Sequence, residues 1–430
     1  MKSPFQLRSS QLPKSPNVTR TVIVDPAIRD TVGHHLTVAA ALSAAAHSLG
    51  HKPIWLGHKL LADTLVPSYV TFIPAFSSTI YQNQIGLFGR AVRPLTGDLQ
   101  ILRKKLRERA WEVELRHKFP SALLMGDRQR ELFRALHDLN LTADDLIILP
   151  SADPQTVDIL ASWCETQLRS AVPQIHIRTC WSESNMPFSN YGGGFANAVR
   201  RVASVSRLTL SAETEGAAEL WSQKTGFRFD IWHCIADVGT LPRVQDQPPT
   251  KPFIVAWLGE PRAEKGTAIL PEVIERVLDQ AERDGVKFLL QDAGRASRKA
   301  LQLNSQLAKF EDALERIPVG SSPSSYLEAL ERSHILLLPY EPKHYPMSRC
   351  SGVAVEGLLT AKPMVVTRGT FAETLINGGN GIAGSDAEEL ASGILKIISD
   401  FEKFYTGALR AREKAIPKYD VLSTYQRMVS

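Results

Sequence analysis

The chain has 430 residues, 43% of them hydrophobic and 22% charged, with a formal net charge of +5. That composition excludes a disordered or fibrous protein, and the length exceeds what one hydrophobic core usually holds, so two globular domains are expected. Four scattered cysteines, Cys164, Cys180, Cys234 and Cys350, exclude a disulfide framework or a paired-cysteine zinc site and fit a reducing compartment.

In chain order, residues 1–20 are polar and basic, with no apolar stretch that could serve as a secretory signal, and read as a flexible tail. Thr21–Val24 reads as the first strand, Leu36–Leu49 as a helix and Pro53–Leu56 as the second strand. Further strands are expected at Leu146–Leu149, Gln174–Ile177, Arg207–Leu210 and Phe229–Trp232, separated by amphipathic segments. The polar run 244–252, with adjacent prolines, marks a linker. Alternation resumes at Phe253–Leu258 and continues through Lys287–Leu290, Arg316–Val319, His334–Pro339 and Met364–Thr367. Strands alternating with helices predict parallel sheets covered on both faces. The expected division is 1–20 tail, 21–243 first domain, 244–252 linker, 253–400 second domain and 401–430 terminal helices.

Two segments carry chemistry. After the strand Phe253–Leu258 comes Gly259-Glu-Pro-Arg-Ala-Glu-Lys-Gly266, which sets Arg262 and Lys265 before a periodic helix expected over Thr267–Ala281. Two cations at a helix start oppose its dipole, a cost that a bound phosphate would reverse. Surface pairing of the two with Glu260 and Glu264 is the competing reading. After His334–Pro339, a Tyr- and Pro-rich loop runs through Tyr345 into Arg349-Cys-Ser-Gly352. Ser351 suits a helix N-cap, and Gly352 leaves the first-turn amides open to an anion. Glu356, in the second turn, can accept hydrogen bonds from a ribose.

Together these segments resemble the family 4 glycosyltransferases of the GT-B fold, glycosyl transferases group 1. The resemblance implies an α/β architecture of two Rossmann-like, doubly wound parallel-sheet domains facing a cleft, with the terminal helix crossing back onto the first domain. It implies that Arg262 and Lys265 act on the donor diphosphate and that Glu356 binds the nucleoside ribose. Gly33, Gly259, Tyr345, Ser348, Arg349, Ser351 and Gly352 complete the implied donor site. Two positions depart from the family pattern: its first motif acid falls on Ser348, and its usual turn arginine falls on Glu260, with Arg262 displaced along the turn.

The expected activity is transfer of a sugar from a nucleotide-diphosphate sugar to an acceptor hydroxyl. Retention is implied by the family, and surface polysaccharide or glycolipid assembly is the expected setting. No cofactor is expected, and no metal, because protein cations can neutralise the leaving diphosphate and no suitable carboxylate pair stands at a cleft edge. A GT-B-like nucleotide-sugar epimerase and a non-catalytic nucleotide-sugar-binding partner subunit remain open alternatives.

Residues 90–134 hold twelve Lys or Arg against six Asp or Glu. This segment reads either as an ordinary amphipathic helix or as a basic surface for peripheral contact with the inner membrane face, suited to a glycan or lipid-linked acceptor. Few aromatics and no binding module argue against nucleic acid as a partner, and a cytoplasmic location is expected. Ser151, Asp153, Arg178 and Glu183, at strand ends of the first half, read as caps or loop residues. His47 and His51 are not expected to hold zinc. Gly379–Gly384 matches a dinucleotide fingerprint but is expected to be a turn.

Overall fold

The computed structural model describes residues 19–30, 35–80, 127–181, 183, 186–187, 194–233, 238–239, 241–244, 251–259, 261–281, 285–292, 298–317 and 323–429. Gly33, the glycine run before Gly194, the centre of the expected linker and the basic stretch up to residue 126 lie outside them.

The first domain is built on a 7-stranded parallel sheet in the order β3-β2-β1-β4-β5-β6-β7. Its strands are β1 Arg20–Val24, β2 Lys52–His58, β3 Thr71–Phe76, β4 Leu146–Leu149, β5 Gln174–Thr179, β6 Leu208–Ala212 and β7 Asp230–Ile231. The second domain holds a 6-stranded parallel sheet, β10-β9-β8-β11-β12-β13. Its strands are β8 Phe253–Trp257, β9 Val286–Gln291, β10 Leu314–Ile317, β11 Ile335–Leu338, β12 Met364–Thr367 and β13 Gly381–Gly384. Continuous apolar runs such as Leu146–Leu149 and Ile335–Leu338 are buried throughout, as strands covered on both faces require.

Two strands depart from expectation. Thr71–Phe76 contains Pro74, which cannot donate to a ladder and so masks the strand in the sequence. It is tolerated because β3 lies at the sheet edge and pairs only with β2. Gly379 takes the turn, at φ +76°, but Gly381–Gly384 is an edge strand parallel to β12. A Cβ on Gly381 would lie 2.4 Å from the Met364 carbonyl oxygen, so glycine there is a requirement of close strand approach.

The chain closes with helices Phe401–Tyr419 and Val421–Val429. Tyr425, Met428 and Val429 are buried with Ile23, Trp55 and Leu146 of the first domain. The Tyr425 hydroxyl meets Thr21 Oγ1 and, at 2.8 Å, His51 Nδ1, while Gln174 Nε2 donates to the Met428 carbonyl at 2.8 Å. His47 instead stacks on Tyr69 at 4.6 Å, so the two histidines serve different contacts.

Candidate functional site

In an open parallel sheet, ligands bind beyond the carboxyl ends of the strands where the strand order reverses. In the second sheet that point falls between β8 and β11. The loops that leave those two strands are the two segments singled out in the sequence.

Gly259, at φ +94°, ends β8, and its N–H donates to Gln291 Oε1 at 2.6 Å. Its missing side chain is occupied space: a Cβ would come within 2.3 Å of Lys265 Nζ. The lysine stem thus lies over the glycine and is buried, at 6% exposure. A 3-10 turn, Ala263–Lys265, is closed by Gly266 at φ +82°. A Cβ on Gly266 would stand 1.9 Å from the Pro339 carbonyl oxygen, so this turn presses on the start of the second loop. The Glu341 N–H donates to the Glu264 carbonyl at 3.0 Å, and Trp257 Nε1 donates to that of Lys265 at 3.1 Å. The expected helix over Thr267–Ala281 begins later, at Leu270 beside Pro271, because the preceding residues form the turn that carries the cations.

The second loop is an aromatic platform. Tyr340 and Tyr345 are buried with ring centroids 4.6 Å apart. The Arg349 guanidinium stacks 3.9 Å from the Tyr345 ring centroid and donates to the His344 carbonyl at 2.6 Å. Arg262 donates to the Tyr345 hydroxyl at 3.3 Å. Glu264 stands between the two guanidinium groups, 3.5 Å from that of Arg262 and 3.9 Å from that of Arg349. The surface pairing weighed for Arg262 therefore exists, but the same carboxylate is shared with Arg349. Lys265 Nζ lies 5.9 Å from the Tyr340 ring centroid.

Ser351 caps the helix Gly352–Leu359, accepting from the Ala354 N–H at 3.3 Å, and its hydroxyl meets the Tyr340 hydroxyl at 3.2 Å. Gly352 is exposed, with open space where a Cβ would project. Glu356 follows in the second turn. Burial pushes its carboxyl up to about 7, against the lowering effects of a hydrogen bond from Tyr326 and the charge of Lys265. The structure thus gathers Gly259, Arg262, Lys265, Tyr345, Arg349, Ser351, Gly352 and Glu356 around one crevice. Ser348 stands at the domain boundary, its backbone 3.5 Å from where a Gly216 Cβ would be.

The first sheet reverses between β1 and β4. There Asp25, buried at the end of β1, accepts from the Ala27 N–H and pairs with His35 Nδ1, each at 2.8 Å. Burial opposes charging of His35, but Asp25 outweighs it and raises the imidazole above its usual value. Ser151 Oγ is buried there without a hydrogen-bond partner among the described residues. Asp153 caps the helix Pro154–Cys164, Arg178 is buried against Glu213 and the Pro150 carbonyl, and Glu183 pairs with Lys224 at 2.7 Å. Those three serve as cap and ion-pair residues. Sequence reasoning missed Tyr326 and Gln291, because each of their contacts joins segments that no local pattern connects.

The family model for glycosyl transferases group 1 matches residues 252–400, the span of the second sheet and both loops. The second domain is thus similar to the glycosyl transferases group 1. Solved structures share the whole two-domain arrangement of this protein, the GT-B fold. A glycosyltransferase from Rickettsia africae ESF-5 superposes with a TM-score of 0.62 at 13% identity, covering 96% of this chain and 99% of that one. Sucrose-phosphate synthase from Thermosynechococcus elongatus gives 0.62 at 12% identity, with 95% and 97% coverage. Anabaena Alr3699/HepE in complex with UDP-glucose gives 0.62 at 14% identity, with 95% and 98% coverage. No curated protein sequence matches the chain. Among the described residues, no helix is long and apolar enough to cross a membrane, and no group of three His, Cys, Asp or Glu could hold a metal ion.

Proposed function

We propose that this protein transfers a sugar from a nucleotide-diphosphate sugar to an acceptor hydroxyl, with retention at the anomeric carbon and without a divalent metal. The observation that carries this reading is the convergence of Arg262, Lys265 and Arg349 on the switch point of the second sheet, beside the capped amino end of the helix Gly352–Leu359. Three cations outnumber the two carboxylates beside them, Glu264 and Glu356, and leave a positive site that suits a negatively charged, sugar-linked diphosphate.

Transfer breaks the bond from the anomeric carbon to the β-phosphate oxygen, and the electron pair stays on that oxygen. The acceptor oxygen bonds to the same carbon, and its proton passes to the departing phosphate. Arg262, Lys265 and the amides after Ser351 stabilise the added charge on the leaving group, and Gly259 and Gly352 keep side chains out of its path. Glu356 takes the ribose, with Tyr345 and Arg349 forming the wall beside the diphosphate. Ser348 faces the donor sugar, and Gly33, outside the described residues, belongs to the proposed donor-binding set. The same domain binds a glycan or lipid-linked acceptor, and the protein works in the cytoplasm, at the inner membrane face where the acceptor is lipid-linked. The complex of Anabaena Alr3699/HepE with UDP-glucose supports a nucleotide sugar as donor.

The test is a thermal-shift screen of UDP, GDP, ADP, dTDP and CDP with their common sugars, followed by turnover with and without EDTA. Binding with EDTA-resistant transfer is the expected result. Strict metal dependence would remove the cation-only mechanism. Binding with neither transfer nor donor hydrolysis would identify a non-catalytic partner subunit, and donor conversion without acceptor an epimerase.

A further inference from the structure

Glu356 does not stand alone in its crevice. Tyr326, half-buried on the helix Pro323–Arg332, donates its phenol proton to Glu356 Oε2. Among the described residues Oε1 accepts no hydrogen bond. A glutamate has a soft terminal torsion, so an untethered carboxylate would present either oxygen to a ligand. The tether fixes which oxygen is presented.

We propose that Tyr326 is a positioning residue that sets the ribose selectivity of the nucleotide site, holding Glu356 Oε2 so that Oε1 alone accepts from the ribose 2′-hydroxyl. The inference rests on the nucleotide-sugar reading above and adds to it the discrimination of ribo- from 2′-deoxyribonucleotides. A site built to accept from a hydroxyl rejects the analogue that lacks it, because the buried acceptor is then left unpaired. The charged and titratable groups that face Glu356 are Lys265 from the turn after β8, Tyr326 from its own helix and Tyr340 from the loop after β11. Of these, Tyr326 and Lys265 favour the carboxylate against burial. Losing the phenol therefore does two things: it frees the carboxylate to rotate, and it raises the pH needed to keep it an acceptor.

The experiment measures affinities of the full chain for UDP, GDP and ADP and for their 2′-deoxy counterparts by calorimetry, between pH 6 and pH 9. The wild type is expected to prefer the ribonucleotide of the favoured base by about tenfold. In Tyr326→Phe that ratio is expected to fall below about threefold, and the loss of affinity on acidification to begin at higher pH than in the wild type. Titration of the ligand phosphate is common to both proteins, so the difference reports the site. Glu356→Gln provides a second variant, isosteric and independent of the tyrosine for folding. It should lose the same ratio, and the double variant should lose no more than either single one. A folded Tyr326→Phe that keeps the ratio, or single effects that multiply in the double variant, would overturn the positioning role. Equal wild-type affinity for ribo and deoxy ligands would also overturn it while leaving the nucleotide site standing. No binding of any of the three, nor of CDP or dTDP in the screen above, would remove the nucleotide reading and this one with it.

Discussion

Replacing Lys265 with alanine isolates the group on which the proposed donor site most depends. The ammonium is buried in the free protein, so much of its desolvation cost is already present before any ligand arrives. At about 4 Å and an effective dielectric of about 20, its attraction for one phosphate charge is about 4 kcal/mol. Residual solvation and the remaining cations reduce the net loss on truncation to about 2–4 kcal/mol, roughly 30- to 1,000-fold in affinity. The assay is thermal unfolding with the preferred nucleotide at 100 times the wild-type dissociation constant. Mass action then stabilises the wild type by about 2.7 kcal/mol, and a variant weakened about 100-fold by only about 0.4 kcal/mol. Arg262→Ala should cost less, about 1 kcal/mol, because that side chain is 42% exposed and already shared with Glu264. A Lys265→Ala protein that keeps the full ligand-induced shift would refute the charge argument.

Other expectations follow from the same geometry. Because folding raises the Glu356 pKa to about 7, its carboxyl favours the folded state below its unfolded value near 4.5, and that contribution is lost as pH rises toward 7. Glu356→Gln should therefore stabilise the unliganded protein by about 1–3 kcal/mol at pH 8 and by nothing at pH 4, measured by denaturant unfolding, while weakening nucleotide binding. Gly266→Ala combines a left-handed backbone with a 1.9 Å clash against the Pro339 oxygen and should cost more than about 2 kcal/mol in thermal stability. Gly352→Ala projects into open space and should leave unliganded stability unchanged yet weaken nucleotide binding severalfold by isothermal titration. Tyr425→Phe strands the Thr21 hydroxyl and His51 Nδ1 beneath the terminal helix, and should lower stability by about 1–3 kcal/mol in chemical unfolding.

The Asp25–His35 pair, Ser151 and the Arg178–Glu213 pair share the carboxyl edge of the first sheet. Gly216, three residues beyond Glu213, meets Ser348 across the domain boundary. Where the resembled family sets an acid, a serine is packed against the first domain.

The sequence by itself determined the features whose causes are local. Apolar runs of strand length placed β4, β8 and β11 within a residue or two, since burial on both faces leaves a continuous signal. Ser351 and Gly352 announced a helix start because capping and amide exposure depend on adjacent residues alone. Where local rules pointed elsewhere, the sheet decided: Pro74 is accommodated by an edge, and Gly381 of β13 is required by the closeness of the Met364 carbonyl. Only the tertiary structure joined Gln291 to Gly259, Tyr326 to Glu356, Glu264 to both Arg262 and Arg349, and Tyr425 to Thr21. Each of these contacts is made by a polar group whose partner is set by where two sheet-borne loops or helices happen to meet. Periodicity and capping act over a few residues and carry no information about that distance, so the chain wrote the two loops after β8 and β11 legibly and left their alignment to packing.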